Sequence, residues 1–388
     1  MQATGGLDKS GVGADHIDVS VLVPVLNEER HIRASVSAML EQRFTGTLEF
    51  LLVDGGSSDG TRSILSDLAS RDRRLCVLDN PRGSTPSGLN IGLSHARGRW
   101  VARMDGHAAY PPDYLALGVE RLRRGDTRWV SGPQVATGEG PISRAVALAL
   151  RTRLGRGGSR KWGIADGGAD REYELDSGVF AGVWARETLL RYGGWDEGWP
   201  RNQDSEMAGR FLARGERLIC LPEMAAHYTP RDSIRSLWRQ YLQYGEYREK
   251  TALRHPHTMR RSHLIAPSLV VTVGAAVAAP TSVRGMARTG LCAYAIALAG
   301  AGARAAADAG GTGERSDAAL VPVVLAVMHL AHGAGAIRGA ILRGPPLAAI
   351  ATVLGARQLA ARLTSPPQPV SAPSLDRSAT GVSSPHDF

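Results

Sequence analysis

Four apolar runs, DVSVLVPV, LEFLLVD, LCVLDN and RWVARMD, recur between residues 18 and 105, the first of them rich in β-branched residues. A stretch with helical character separates each from the next. In LNEERHIRASVSAMLEQRF, Ile32, Val36, Met39 and Leu40 recur at the i, i+4, i+7, i+8 spacing of one helix face. Asn27 is placed to cap that helix, and Glu28 and Glu29 suit its positive first turn. RSILSDLAS and TPSGLNIGLSHA repeat the pattern. Runs this apolar suit strands buried on both faces. Strand–helix alternation predicts an α/β chain with a doubly wound, mostly parallel sheet. Such sheets bind ligands beyond the carboxyl ends of their strands.

The polar residues worth attention fall at those ends: Pro24, Asn27 and Glu28 after the first run, Asp54 after the second, Asp105 and His107 after the fourth. Asp54 opens DGGSSDGT, whose glycines and serines let backbone approach a ligand closely, while Asp59 is placed to cap the next helix. In DGH, residues i and i+2 can reach one cation, although the tripeptide alone equally makes a turn. A carboxylate with an imidazole suits Mn²⁺, whereas Mg²⁺ prefers oxygen. RNQDSEMAGRF begins a helix that Gly215 can end, with Asp204 and Glu206 near its start. A carboxylate there is stabilised as the anion and can act as a cap or, once desolvated, as a base. In HYTPRDSIRSLWRQYLQYGEYREK, Arg231, Arg239 and Gln240 could face a pyrophosphate, or simply water.

Composition narrows the classes. A net charge of +9 favours phosphate-bearing partners. Aromatic residues make up 5% and do not interleave with basic runs, which speaks against nucleic acid. Cys76, Cys220 and Cys292 form no CxxC pair, as in a reducing compartment. The Gly-rich start has no apolar run, so no cleavable signal peptide is expected there.

Three regions follow. Residues 1–17 are expected to be disordered, 18–255 to form the catalytic domain, and 264–360 to form a membrane-associated helical region of two to four helices. The Pro/Ser-rich stretch 364–388 is expected to be a disordered tail. GRGGSRKWGIADGGAD has the composition of a mobile loop. PISRAVALALRTRL reads either as a packed helix or as one lying on a membrane surface. The apolar region begins with LIAPSLVVTVGAAVAAPTSV, of spanning length, and an Ala-rich soluble bundle is its alternative. Arg254, Arg260 and Arg261 place the catalytic domain in the cytoplasm by the positive-inside rule. Arg284 and Arg288 conflict with a full first crossing, unless that segment is re-entrant or interfacial.

Taken in order, VSVLVPVLNEERHIRASVSAMLEQ, LEFLLVDGGSSDGT, VARMDGHAAYPPDYL, DSGVFAGVWARETLLRYGGWDE, RNQDSEMAGRFLARG and LWRQYLQYGEYREK resemble glycosyltransferase family 2, with its GT-A fold, and within it the bacterial succinoglycan-type branch. The resemblance covers residues 18–250. It implies an inverting transferase of exopolysaccharide or cell-surface glycan synthesis, seated in the cell membrane as a multi-pass protein. The donor would be a nucleotide-diphosphate sugar, with UDP as its nucleotide, and the acceptor a glycan or polyprenyl-linked hydroxyl. Pro24, Asn27, Glu28 and Asp54 would line the nucleotide pocket. Asp105 and His107 would hold a divalent metal, Mn²⁺ or Mg²⁺, on the diphosphate, and Asp204 would be the catalytic base. Arg239 and Gln240 stand near the family's QxxRW position, which is WRQYLQYG here. The alternatives are a polyprenyl-phosphate glycosyltransferase and a catalytically weak scaffold subunit of a polysaccharide assembly complex.

Overall fold

The computed structural model describes residues 16–162 and 171–356, with Leu359 and Leu363 beyond them. The expectations of a disordered start (save His16 and Ile17) and a disordered tail lie outside the described residues, as does the second half of the loop expected at 155–170.

The strands are β1 (Val19–Val25), β2 (Leu48–Asp54), β3 (Leu75–Asp79), β4 (Trp100–Arg103), β5 (Ala108–Ala109), β6 (Trp129–Ser131), β7 (Gln134–Ala136), β8 (Tyr173–Glu174), β9 (Gly182–Ala185), β10 (Leu218–Cys220) and β11 (Ala226–Tyr228). Eight of them form one sheet in the order β3-β2-β1-β4-β9-β6-β10-β8, and β5-β11-β7 form a second. The half from β3 to β4 is parallel. β9 runs antiparallel to both β4 and β6, and β8 antiparallel to β10, so the sheet as a whole is mixed.

Alternation along the central strands loads both faces. Val19, Val21, Val23, Phe50 and Leu52 pack with Ile32, Val36 and Leu65 on one side. Leu22, Leu51 and Val101 pack with Leu89, Leu93 and Phe211 on the other. β1 is flanked by β2 on one side and β4 on the other, which makes its carboxyl end the switch point where α/β sheets open a crevice.

The helix Ile32–Leu40 starts from His31, with no side-chain cap. Asn27 therefore does not cap it. Asn27 stands four residues earlier with φ +55°, and its Oδ1 accepts the Ser58 N–H at 2.8 Å. Asp59 does accept the Thr61 N–H, at the start of the helix Thr61–Arg71.

The helix Pro141–Arg151 packs rather than lying free. Val146, Leu148 and Leu150 join Val321, Val324 and Met328 in one apolar cluster, and Arg144 pairs with Asp317. The apolar region holds two helices long and apolar enough to cross a membrane, Thr281–Ala307 and Val321–Arg343, with the shorter apolar helix Ser262–Ala278 before them. The expected first span thus stops early. At 17 residues it is roughly 25 Å long, short of a hydrocarbon core of about 30 Å. It ends at Ala279-Pro280, where the chain turns back. Arg284 and Arg288 donate to the carbonyls of Ala279 and Ala276, so both cap that turn.

Small residues lock this region onto the α/β unit. A Cβ at Gly245 would lie 2.0 Å from the His332 carbonyl oxygen, and one at Gly335 would lie 1.9 Å from that of Leu242. The helices Ile234–Arg254 and Val321–Arg343 therefore meet backbone to backbone, the use that Gly-xxx-Gly spacing serves at Gly335 and Gly339. The opposite surfaces stay apolar and exposed at Val277, Met286, Ile296 and Ile341. Most of the apolar stretch of Thr281–Ala307 is unburied, which leaves it an exposed apolar surface rather than a core.

Candidate active site

A cleft of ≈ 1100 Å³ opens at the carboxyl ends of β1 and β4. Pro24, Asn27, Glu28, Asp105 and His107 all line it. Asp54 stands one layer behind, between the lining residues Val53 and Gly55, and accepts the Ser57 N–H at 3.1 Å and hydroxyl at 2.6 Å. Ser57 Oγ in turn accepts the Asn27 N–H at 2.9 Å. The first two strand ends are thus tied together through one serine.

Arg103 organises the centre, and the sequence reading passed over it. It closes β4 at 2% exposure. Its Nε donates to Asp105 Oδ1 at 2.8 Å and its Nη2 to Oδ2 at 3.1 Å, while Nη1 reaches Asp204 Oδ1 at 2.7 Å. One buried guanidinium therefore holds both key acids. An arginine inside a strand buried on both faces was the available signal, since such a charge needs a partner. Asp105 is further fixed by its own N–H, which donates to the Tyr110 hydroxyl at 2.7 Å.

Asp204 sits in the first turn of the helix Gln203–Leu212. Burial raises its pKa, Arg103 pulls it down and Asp105 pushes it up, with a net rise above the ordinary value. That makes it a stronger base than a free carboxylate. The residue before the helix, Asn202, has φ +58°; Asn27 and Asn202 are the two non-glycine residues with positive φ among the described residues. Both flank the cleft chemistry, where strained backbone concentrates. Glu206, two residues on, is structural. It is 0% exposed and bound by Arg210, Arg254 and His255.

Among the described residues no cluster of three His, Cys, Asp or Glu could hold a metal by itself. A two-residue site does fit. Arg103 fills two of the roughly four lone pairs of the Asp105 carboxylate, which leaves oxygen donors over. His107 meets Glu28 Oε1 through Nδ1 at 2.9 Å, and its Nε2 has no hydrogen-bond partner among the described residues. Octahedral ions commonly take few protein ligands and complete their shell with phosphate oxygens and water. Burial lowers the His107 pKa, but Glu28 and Asp105 outweigh it, so the imidazole stays protonated to higher pH than usual.

Arg239 and Gln240 do not reach the cleft. Arg239 is exposed, and Gln240 donates to the Tyr244 hydroxyl at 3.0 Å. Gln243 and Tyr247, further along the same helix, line the cleft instead, together with Arg231 and Arg201.

This arrangement, a parallel half with acids at the switch point of its sheet, belongs to the class of α/β proteins that bind ligands in the crevice at the carboxyl ends of their strands. Comparison with known proteins makes it specific. The family model described as glycosyl transferase family 2 matches residues 20–167. Succinoglycan biosynthesis protein ExoA of Rhizobium meliloti (strain 1021) is 30% identical over 320 residues, 81% of this chain and 92% of that protein. The chain belongs to glycosyltransferase family 2 and is a glycosyltransferase. A dolichyl N-acetyl-α-D-glucosaminyl phosphate 3-β-D-2,3-diacetamido-2,3-dideoxy-β-D-glucuronosyltransferase of Methanococcus voltae is 21% identical over 58% of this chain and 71% of that protein. The solved structure of the mannosyltransferase PcManGT from Pyrobaculum calidifontis, in complex with GDP-Man and Mn²⁺, superposes with a TM-score of 0.54 at 20% identity, over 85% of this chain and 89% of that one. That likeness establishes the GT-A fold.

Proposed function

We propose that this protein transfers one sugar, with inversion, from a UDP-sugar to a hydroxyl of a glycan or lipid-linked acceptor in exopolysaccharide synthesis. The observation that carries the reading is Arg103 joining Asp105 to Asp204 beside the cleft. Pro24, Asn27 and Glu28, backed by Asp54, form the nucleotide wall, and Arg231, Gln243 and Tyr247 line the same cleft. Asp105 and His107 hold the divalent ion. When bound, that ion acts as a Lewis acid on the leaving diphosphate. Asp204 takes the acceptor proton as the hydroxyl oxygen bonds to the anomeric carbon. The bond from that carbon to the diphosphate oxygen breaks on the opposite face, which inverts the configuration. Arg103 keeps both acids oriented before the donor arrives, and it lowers the pKa of Asp204 against burial.

Similarity to a succinoglycan protein supports the polymer assignment. The helices Thr281–Ala307 and Val321–Arg343 seat the protein in the membrane, multi-pass, with the catalytic unit on the cytoplasmic side. A thermal-shift screen of nucleotide sugars with Mn²⁺ or Mg²⁺ tests the donor, because a ligand specific to the folded state raises its stability. Stabilisation by a UDP-sugar only when the metal is present is the expected result. Stabilisation by none of them would contradict the reading.

A further inference from the structure

Next to Asp204, on residues that do not line the nucleotide cleft, the basic side chains Lys161, Arg248 and Arg260 gather with Asp176 and Glu249 nearby, and only Arg260 is ion-paired among the described residues. Arg248 donates from Nη2 to the hydroxyl of Ser205, the residue next to Asp204, at 3.3 Å. Lys161 lies over the Trp162 ring with Nζ 4.8 Å from its centroid. Neither Lys161 nor Arg248 forms an ion pair with a carboxylate among the described residues, although both are half-buried with their charged ends enclosed by protein. Arg260 stands beside them on Asp176. Electrostatic coupling joins Lys161 to Arg248, Asp204 and Arg260, and joins His263 and His332 to Arg248. The buried Nδ1 of His332 has no hydrogen-bond partner among the described residues.

The cost of this crowding appears in the charges themselves. Burial, with Arg248 adding to it, pulls Lys161 down to about 8. Burial and Arg260 pull Arg248 down to about 10. Asp176 and Glu249 offset part of that cost for Arg248, and Asp204 for Lys161, but desolvated cations with no direct ion pair of their own remain unfavourable unless a further anion joins them. The donor is not that anion, since Lys161 and Arg248 are absent from the residues lining its cleft.

We propose that Lys161, Arg248 and Arg260 seat the phosphate or diphosphate that links the acceptor sugar to a lipid. The inference rests on the donor and base assignment above. It gives the acceptor an anchor on the far side of Asp204, so that its hydroxyl meets the base from the side opposite the donor. The fold also supplies a place for the lipid chain. Arg260 and His263 stand at the start of the helix Ser262–Ala278. From the next residue on, Leu264, Ile265 and Leu269, with Leu291 of the following helix, line an apolar groove of ≈ 360 Å³. A charged head followed by an apolar tail matches a polyprenyl-type phosphate rather than a free one.

The test uses the full-length protein in detergent micelles, with UDP and Mn²⁺ held at saturation. It is titrated with farnesyl diphosphate, farnesol and inorganic pyrophosphate, and tryptophan fluorescence is read, because Trp162 lies against Lys161. Farnesyl diphosphate should bind alongside UDP, while farnesol and pyrophosphate bind far more weakly. Arg248→Gln and Lys161→Gln should each weaken it roughly tenfold, the weight of one charge-assisted hydrogen bond. UDP affinity and thermal unfolding should stay at wild-type values, and Lys161→Arg should recover most of the binding. Unchanged affinity in both glutamine variants would overturn the proposal, as would displacement of farnesyl diphosphate by UDP. Equal binding of pyrophosphate would overturn the lipid source. Failure of UDP to bind the wild-type protein would instead overturn the donor reading.

Discussion

Arg103 donates to Asp204 across 2.7 Å from the same guanidinium that clamps Asp105. Two acids that would repel each other are thereby held by one positive charge. Arg103 lowers the pKa of Asp204 against burial and Asp105, which both raise it. Removing the arginine leaves the two raising influences. The acidic limb of kcat/KM against pH should therefore move to higher pH in Arg103→Met, and less so in Arg103→Lys. A limb at the wild-type position in both variants would show that Asp204 does not report the essential base.

Metal choice should follow His107. Glu28 and Asp105 raise the pKa of its imidazole above the ordinary value against burial, and only the neutral ring can coordinate. Activation by Mn²⁺ should strengthen as pH rises through that raised pKa. Glu28→Gln removes one raising partner and should extend activation to lower pH. His107→Asp replaces nitrogen with oxygen and should raise the ratio of Mg²⁺- to Mn²⁺-supported activity. An unchanged ratio would mean that His107 does not touch the ion.

Much of this site was legible in the sequence, and the reasons differ by residue. Asp54, Asp105 and Asp204 stood out because each follows or opens an element whose pattern is strong. Arg103 was missed because it sits inside WVAR, where the apolar neighbours dominate the reading. Gln240 was one turn short: Gln243 and Tyr247 follow it by three and seven residues on the same helix face. The face was readable from helical spacing, but how far the helix runs along the cleft is set by its packing on Val321–Arg343. Antiparallel β9 between β4 and β6 has no local signal either, since its position depends on long-range pairing. The early end of the first apolar helix did carry one, in Pro280, which hydropathy alone overlooks.

Glu206 should be needed for stability rather than chemistry. It is fully buried among Arg210, Arg254 and His255. Burial raises its pKa, but His255 and Arg210 outweigh that, and the net shift is below the ordinary 4.5. A depressed folded-state value means its contribution is fully present above pH 4.5 and is lost as pH falls through that lower value. Glu206→Ala should cost about 3–5 kcal/mol, as breaking buried pairs does. Denaturant unfolding in detergent should show that loss at pH 7, shrinking on acidification. A loss below about 1 kcal/mol would place the residue among weak surface pairs.

The apolar helices should be part of the folded unit. A side chain at Gly245 or Gly335 would strike backbone at 2.0 and 1.9 Å, whereas one at Gly274 meets nothing within 4 Å. Gly335→Val should destabilise by at least about 1–3 kcal/mol, and Gly274→Ala should be neutral or stabilising by about 0.5–1 kcal/mol. Thermal unfolding followed by tryptophan fluorescence compares them directly. Equal behaviour of the two variants would contradict the close helix contact.

Asp204→Asn tests the central assignment most directly, by measuring sugar transfer and nucleotide affinity on one preparation. The substitution keeps the shape and removes the proton acceptor. Transfer should fall by about 10²–10⁴-fold while UDP affinity in Mn²⁺ is unchanged. Transfer at a near-wild-type rate would contradict the account.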